Sequence, residues 1–397
     1  MKEYTSFERV TTALDHKEPD RVPFDIGGAL VAGINIETMK NLRKHLGLPE
    51  KAPQIADKIS QSAKPDDDLI ERLNIDFKTV MPRGPSQPGL SKNLDVPDNL
   101  FIGSHREHYR LIDEFGIVWQ MPIEYGLYYD LYKPPFKHIE TVEEVENYPW
   151  PDALDPARYV DLKRQADQTV YEQKKAYVLE RMSAGMWENA MWMTGHEKLF
   201  MDMLLNEKLF CSIMDKFVEL KMKYWEKALE AVGENVMLIS TADDLGSQET
   251  LLVSLDLYKK LVWPYHKKLF QFIKKKAKSK VYIFFHSDGA MREAIPLLLE
   301  AGVDILNPVQ VNCRGMDTKA LKKDYGKDLT FWGGSCDNNV LAFGTPEEVR
   351  DETKRRIDDL APGGGFIFAP IHIIQKGVPP ENIMSWWETL QEYGIYT

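Results

Sequence analysis

In the stretch Val281-Tyr-Ile-Phe-Phe-His-Ser-Asp-Gly289, five apolar residues are followed at once by polar residues and a glycine. A short apolar run that ends this sharply is typical of a fully buried strand. Parallel strands are continuously hydrophobic because helices cover both of their faces. The polar residues at the carboxyl end of this strand are therefore expected at the edge of the sheet where α/β enzymes carry out their chemistry.

Seven other segments have a similar strand pattern, and helical patterns alternate with them. The eight predicted strands are Val22–Ile26, Ile75–Val80, Tyr177–Met182, Val236–Thr241, Val281–Phe285, Val303–Asn307, Leu329–Gly333 and Phe366–Pro370. The predicted helices are Ser6–His16 with Ser6 as its N-cap, Asn35–Leu46, Thr141–Glu146, Asn189–Leu205, Asn206–Val232, Leu255–Lys278, Ala290–Ala301, Thr318–Tyr325, Pro346–Leu360 and Pro380–Tyr393. Eight alternating units predict a single (β/α)8 TIM barrel domain over residues 1–397.

Residues 81–150 interrupt this alternation and are rich in proline, glycine and aromatic residues. Loops of this length within a barrel are usually functional, so we predict an aromatic-rich insertion on the barrel rim. Its tyrosines combine flat apolar faces with polar tips, which suits a planar ligand. An equally good interpretation is a β-hairpin that packs on the rim.

The composition argues against several classes of protein. Sixty-one acidic residues outnumber 50 basic ones, and the net charge of −11 disfavours nucleic acid or an anionic membrane as a partner. The three cysteines are far apart, so they predict neither a disulfide framework nor a structural zinc module. The first residues contain no apolar signal segment, and no run approaches 18 apolar residues. These features predict a soluble, cytoplasmic protein.

In a barrel, the residues that directly follow each strand face one common site. Here they are mostly acidic, imidazole and amide groups, namely Glu188, Asp243, Asp244, Glu249, His286, Asp288, Asn307, Gln310, Asp337, His372 and Gln375. Because lysine and arginine are nearly absent among them, this edge predicts a cation site, with zinc as the leading metal. Alternatively, Asp288 caps the next helix and His286 only hydrogen-bonds, while Asp244 and Glu249 cap a helix near Leu251.

At these residues the chain resembles the uroporphyrinogen decarboxylase superfamily almost from end to end. The resemblance lies in Glu18-Pro-Asp-Arg-Val-Pro23, Ala242-Asp-Asp-Leu-Gly246, Phe285-His-Ser-Asp-Gly289, Gly302-Val-Asp-Ile-Leu-Asn-Pro-Val-Gln310 and Phe343-Gly-Thr-Pro-Glu-Glu-Val349. It implies the barrel fold and three candidate activities. These are porphyrin decarboxylation, zinc-dependent methylcobamide:thiol methyl transfer, and methyl transfer in corrinoid-dependent O-demethylases.

Two departures from the superfamily favour the third activity. Decarboxylases bind porphyrin carboxylates with an arginine-bearing Met-Arg-Gln-Ala-Gly-Arg stretch, whereas this chain has Phe24-Asp-Ile-Gly-Gly-Ala-Leu30. Thiol methyltransferases hold zinc with His-x-Cys and a distant cysteine, and here His286, Asp288 and His372 stand at those positions. Replacing thiolates by a carboxylate and an imidazole makes the metal a harder Lewis acid that prefers oxygen.

The resemblance therefore implies the methyltransferase component of a veratrol- or vanillate-type aryl-ether O-demethylase. Such a protein would move a methyl group from a methoxylated aromatic to the Co(I) corrinoid of a partner protein. The expected metal ligands are His286, Asp288 and His372, and the expected catalytic residues are Asp243, Asp244 and Glu249. The aromatic substrate is expected to contact Trp119, Tyr125, Tyr129, Met186, Trp187 and Trp192. The remaining alternatives are a thiol methyltransferase, a decarboxylase and a non-catalytic relative that binds a corrinoid protein.

Overall fold

The computed structural model of the protein describes residues 4–87, 89 and 108–396. Its strands are β1 (Ile34–Asn35), β2 (Gln54–Asp57), β3 (Ser62–Lys64), β4 (Phe77–Val80), β5 (His108–Ile112), β6 (Val118–Pro122), β7 (Asp130–Lys133), β8 (Ala176–Leu179), β9 (Leu238–Ala242), β10 (Tyr282–His286), β11 (Ile305–Asn307), β12 (Thr330–Trp332) and β13 (Phe366–Ile367). The central sheet is parallel, with neighbours in the order β4-β8-β9-β10-β11-β12-β13.

The barrel is closed between β13 and β4 by the segment that the sequence predicts as the strand Val22–Ile26. That prediction is wrong in extent, because the segment forms only one parallel bridge, between Phe24 and Phe368. Phe368 N donates to Pro23 O at 2.8 Å, and Asp25 N donates to Phe368 O at 2.9 Å. Pro23 has no N–H group, so the hydrogen-bond ladder cannot extend through it. With this reduced first strand, the predicted (β/α)8 architecture is confirmed.

Helices surround the parallel sheet. They are α1 (Ser6–Leu14), α2 (Ile36–His45), α3 (Asp67–Arg72), α4 (Val142–Glu146), α5 (Leu162–Asp167), α6 (Met186–Thr194), α7 (His196–Leu205), α8 (Glu207–Val232), α9 (Leu255–Leu261), α10 (Trp263–Lys276), α11 (Ile295–Ala301), α12 (Thr318–Tyr325), α13 (Asn338–Phe343), α14 (Pro346–Leu360) and α15 (Pro380–Tyr393). Short 3-10 turns lie at Leu30–Ala32, Pro156–Arg158, Gly233–Asn235 and Arg292–Ala294, and a π-helical turn at Gln168–Glu172.

Several predicted helix boundaries were wrong, for local reasons. The N-cap of α1 is Thr5 and not Ser6, because Thr5 and Glu8 form a reciprocal capping box. Gly195, with a φ of 84°, separates α6 from α7 where one helix was predicted. Pro264 starts a new helix, α10, so the predicted helix Leu255–Lys278 is divided in two.

The barrel interior is filled by alternate residues of the strands. Phe284 belongs to the interior cluster and lies edge-on to Trp332, with ring centroids 5.0 Å apart. Its neighbour Phe285 points outward and lies edge-on to Phe270 of α10. Apolar residues of α1 belong to the same interior cluster, and Gly365 N donates to the α1 residue Ala13 at 2.8 Å. Helix α1 therefore closes the end of the barrel where the strands begin, leaving the opposite end for a site.

The predicted rim insertion carries its own antiparallel sheet, in the order β5-β6-β7. Residues 88 and 90–107 of the insertion lie outside the described part of the chain. A second small antiparallel sheet, in the order β1-β3-β2, was not anticipated from the sequence. Both sheets belong to segments between barrel strands.

Candidate metal centre

Two imidazoles and a carboxylate meet at the carboxyl ends of two barrel strands. His286 is the last residue of β10, Asp288 follows it, and His372 comes after β13. Asp288 Oδ2 lies 3.9 Å from His286 Nε2 and 3.7 Å from His372 Nε2. One potential ligand atom from each residue lies within 4.8 Å of the others. The three residues expected to bind metal are thus brought together, and the distances between their ligand atoms are short enough for one ion to contact all three.

Asn307, the last residue of β11, fixes the orientation of His286. Its Oδ1 lies 2.7 Å from His286 Nδ1, and its own amide Nδ2 donates to Trp332 O at 2.8 Å. Because the Asn307 oxygen accepts, Nδ1 of His286 carries the proton and Nε2 keeps its lone pair. That lone pair is on the side of Asp288. A second ring nitrogen held by an amide or carboxylate is the usual support of a metal-binding histidine.

The electrostatics of the cluster suit a cation. Burial lowers the pKa of His286 and of His372, so both rings favour the neutral form that binds metals. Burial also raises the pKa of Asp288 to about 6, an effect that the charge of His286 opposes. Asp288 Oδ1 is buried without a hydrogen-bond partner among the described residues. A carboxylate with one unpaired oxygen, whose other oxygen lies beside two neutral imidazoles, fits zinc, whose usual ligands are these groups.

Asp244 borders this cluster. Its Oδ1 lies 4.0 Å from His286 Nε2 and accepts a hydrogen bond from Asp288 N at 2.8 Å. Its backbone oxygen accepts from Trp187 Nε1 at 3.1 Å. Asp244 therefore borders the His286–Asp288–His372 cluster and offers one more carboxylate beside it.

Asp243 points away from the cluster and supports helix α6 instead. Its carboxylate accepts hydrogen bonds from Met186 N at 3.1 Å and Glu188 N at 2.7 Å, and it contacts His266 Nε2 at 2.7 Å. Helix α6 begins after Gly185, which offers no side chain to cap it. A Cβ atom at Gly185 would lie 1.7 Å from Ala242 O, so only glycine allows this approach. The geometry makes Asp243 a positioning residue for the first turn of α6, which carries Glu188.

Glu249 is exposed in a turn, and the structure does not bring it to the cluster. The helix that follows begins at Leu255 and is capped by Ser254, whose hydroxyl accepts from Leu257 N at 3.2 Å. The alternative in which Asp244 and Glu249 cap a helix near Leu251 is therefore wrong. The 3-10 turn after Asp288 has no side-chain cap either, which excludes a capping role for that residue.

The six residues expected to contact an aromatic substrate lie in three settings. Trp119 and Trp192 pack edge-on with ring centroids 4.9 Å apart, joining the insertion to α6. Met186 and Trp187 are buried, and Trp187 lies near Phe200 of α7. Tyr129 is half-buried, and Tyr125 is 91% exposed in a left-handed backbone conformation with a φ of 63°. One pocket formed by all six residues stays a prediction.

Sequence reasoning missed two charged residues near the start of helix α6, Lys221 and Arg181. Lys221 of α8 is buried and donates to the backbone oxygens of Met182 and Ala184, and burial lowers its pKa to about 7. Arg181 donates to Ser240 Oγ at 2.6 Å, and its charge opposes a strong, burial-driven rise in the pKa of Glu188. A signal existed for Lys221, since it occupies the buried stripe of an amphipathic helix. No local sequence pattern identifies the backbone oxygens that accept its hydrogen bonds.

The geometry defines a class of protein: a barrel whose mouth carries a cluster of two histidines and a carboxylate that could hold one metal ion. Residues 116–393 match the family profile described as uroporphyrinogen decarboxylase (URO-D). The chain therefore belongs to the uroporphyrinogen decarboxylase family, as the resemblance implied.

Two individual proteins illustrate the relationship. A uroporphyrinogen decarboxylase from Alkalilimnicola ehrlichii is 25% identical over 264 residues, which span 63% of this chain and 66% of that protein. The match thus falls just short of two thirds of the curated relative's length. The structure of a methyltransferase from Methanosarcina mazei superposes with a TM-score of 0.65 at 14% identity, covering 98% of this chain and 99% of the other. At that identity the likeness establishes a shared fold. No helix in the described ranges is long and apolar enough to cross a membrane.

Proposed function

We propose that this protein is a zinc-dependent methyltransferase that transfers a methyl group from a methoxylated aromatic compound to the Co(I) corrinoid of a partner protein. The observation that carries the proposal is the His286–Asp288–His372 cluster at the barrel mouth. Three protein ligands leave one position of a tetrahedral site for substrate, which is the arrangement of catalytic zinc sites. When bound there, zinc would act as a Lewis acid on the ether oxygen and make the phenolate a better leaving group.

The protein's own residues supply orientation. Asn307 holds the proton on His286 Nδ1, so that Nε2 remains available at the site. The hydrogen bond from Asp288 N to Asp244 holds the two acidic residues side by side. Rigid placement of the reacting groups is worth several kcal/mol because a methyl transfer needs an in-line approach. The acceptor must reach the same mouth, which is why a separate corrinoid protein is the proposed partner.

The composition of the mouth supports methyl transfer over porphyrin decarboxylation. A porphyrin with many carboxylates needs cationic groups, and the segment after Phe24 contributes Asp25 in place of an arginine. The preceding Arg21 is committed elsewhere, because it donates to Asp76 at 2.8 Å and 3.1 Å. The oxygen and nitrogen donors of the cluster also favour an ether oxygen over the soft sulfur of a thiol.

The test combines metal analysis with a transfer assay. Protein purified without added zinc is expected to contain one zinc per chain and, with a reduced corrinoid protein from an aryl-ether O-demethylase, to convert guaiacol to catechol while the Co(I) absorption disappears. His286→Ala should lose both zinc and turnover. His138→Ala changes an exposed histidine of the insertion and serves as the matched control.

The outcomes separate the alternatives. Stoichiometric zinc in His286→Ala would place the metal elsewhere. Phenol release without a corrinoid protein would indicate a hydrolytic or oxidative reaction. If the protein binds zinc but demethylates no compound of a broad methoxyarene panel, thiol methyl transfer becomes the favoured activity.

A further inference from the structure

A polar cavity of about 260 Å³ lies beside the barrel, away from the metal centre. Its walls come from the end of β3, the start of α3, strand β4, and helix α5 with the π-helical turn that follows. The size suits a small ligand, since pockets for larger cofactors are typically about 300–1,000 Å³. The lining includes Lys64, Lys78 and several glutamines, so the cavity is polar.

Lys64 is a cation of this cavity that forms no direct ion pair with the described residues. It is half-buried, and no carboxylate of the described residues lies within ion-pair distance of its ammonium group. Burial lowers the pKa of Lys64, and the positive charge of Lys78 lowers it further, while Asp67 opposes both effects. The other charges of the cavity are already paired. Lys78 Nζ lies 2.6 Å from Asp67, and Asp66 accepts from Arg43 at 2.6 Å.

An acceptor without a donor faces the same cavity. Gln173 Oε1 is buried and has no hydrogen-bond partner among the residues described. A buried, unsatisfied polar atom is costly, so its presence calls for a ligand or water that can donate. The neighbouring Gln165 is not available for this purpose, because its side-chain amide is bonded to the backbone of Met81 at 2.9 Å and 3.3 Å.

We propose that this cavity binds a hydrogen-phosphate group, with Lys64 as the cation and Gln173 as the acceptor for its P–O–H. Lys64 and Gln173 line the same cavity, so an oxyanion that also carries a hydroxyl offers a partner for each of them, whereas an anion without a donor offers a partner for Lys64 alone. The group could belong to free inorganic phosphate, which carries a P–O–H at neutral pH, or to the monoanion of a small phosphomonoester, which carries one below its second pKa of about 6. The ammonium and the phosphoryl oxygens form a charge-assisted hydrogen bond, which is about twice as strong as a neutral one.

The experiment is isothermal titration calorimetry of the full chain in phosphate-free buffer at constant ionic strength. Inorganic phosphate, glycerol 3-phosphate and sulfate are titrated separately. We expect one phosphate per chain, and weaker binding of sulfate, which has no O–H at neutral pH. Lys64→Gln should weaken phosphate binding at least about tenfold, which corresponds to the loss of one charge-assisted hydrogen bond. Gln173→Glu, which adds a negative charge at nearly the same size, should abolish it.

Lys319→Gln makes the same charge change on the exposed surface of α12 and should bind phosphate like the wild type. Tighter binding of glycerol 3-phosphate than of phosphate would identify a phosphomonoester as the natural ligand. The proposal is overturned if phosphate gives no saturable heat, if Lys64→Gln binds it unchanged, or if Lys319→Gln weakens it equally. Far-ultraviolet circular dichroism of each variant verifies that it is folded.

Discussion

Replacing Asn307 tests whether His286 is held as a metal ligand. Asn307 is fully buried, 2.7 Å from His286 Nδ1 and 2.8 Å from Trp332 O. In Asn307→Leu, the side chain keeps its approximate size but both of these polar groups lose their partner. Each unpaired buried group costs about 1–3 kcal/mol of unfolding free energy. Loss of the hydrogen bond behind a metal-binding histidine lowers metal affinity about 10- to 100-fold.

Asn307→Asp is the informative partner variant. A carboxylate still accepts from His286 Nδ1, and with a stronger bond, but it cannot donate to Trp332 O. Zinc affinity should therefore be retained or increased while the free energy of unfolding still falls. Zinc affinity is measured by competition with a chromogenic chelator, and stability by urea denaturation of the metal-free protein. Equal zinc affinity in the wild type and Asn307→Leu, despite the loss of stability, would refute the role assigned to Asn307.

Three further outcomes are expected. Gly185→Ala should lower the unfolding free energy, measured by urea denaturation, by about 3 kcal/mol, because its Cβ would overlap Ala242 O. Gly84→Ala is the control, because the space around Gly84 is open, and it should leave the unfolding free energy nearly unchanged. Asp25 has a pKa raised to about 7 by burial, so the folded state favours its protonated form, and stability should fall as the pH rises from about 4 to 7, by at most about 4 kcal/mol. Asp25→Asn should remove that part of the pH dependence, and identical pH profiles of the two proteins would contradict the assignment. Uroporphyrinogen should be neither bound nor decarboxylated, as followed by chromatography of the porphyrins after oxidation; loss of its acetate carboxyl groups would exclude the proposed choice of activity.

The sequence predicted the barrel because each buried parallel strand is a short, continuous run of apolar residues, which is a local pattern. The segment at Val22–Ile26 has the same pattern, but Pro23 limits it to one bridge. Glycine and proline often interrupt helices, so Gly195 and Pro264 indicated the two helix breaks. The prediction of uninterrupted helices instead followed the amphipathic periodicity, which continues across both residues. The true cap of α1 was readable too, since Thr5 and Glu8 have the capping-box spacing.

That His286, Asp288 and His372 meet at the barrel mouth was predictable in part, for a geometric reason. His286 and Asp288 are two residues apart at a strand end, so their side chains share one side. Asp243 and Asp244 are adjacent, and only the structure shows that the first turns to α6 while the second borders the cluster. Lys221 contacts carbonyls 37 and 39 residues earlier in the chain. Contacts of that separation leave no local pattern in the sequence.

The single bridge between Phe24 and Phe368 has a consequence for biosynthesis. The two residues are roughly 340 positions apart, and at about 5–20 residues per second the first waits on the order of tens of seconds for the second to leave the ribosome. During that interval the segment Val22–Ile26, which lies beside β4, has no neighbour on its other side, and an unpaired strand edge invites aggregation. Nascent chains of this protein are therefore expected to depend on chaperones until Phe368 has left the ribosome, and truncated chains that end before Phe368 should be the ones that chaperones retain.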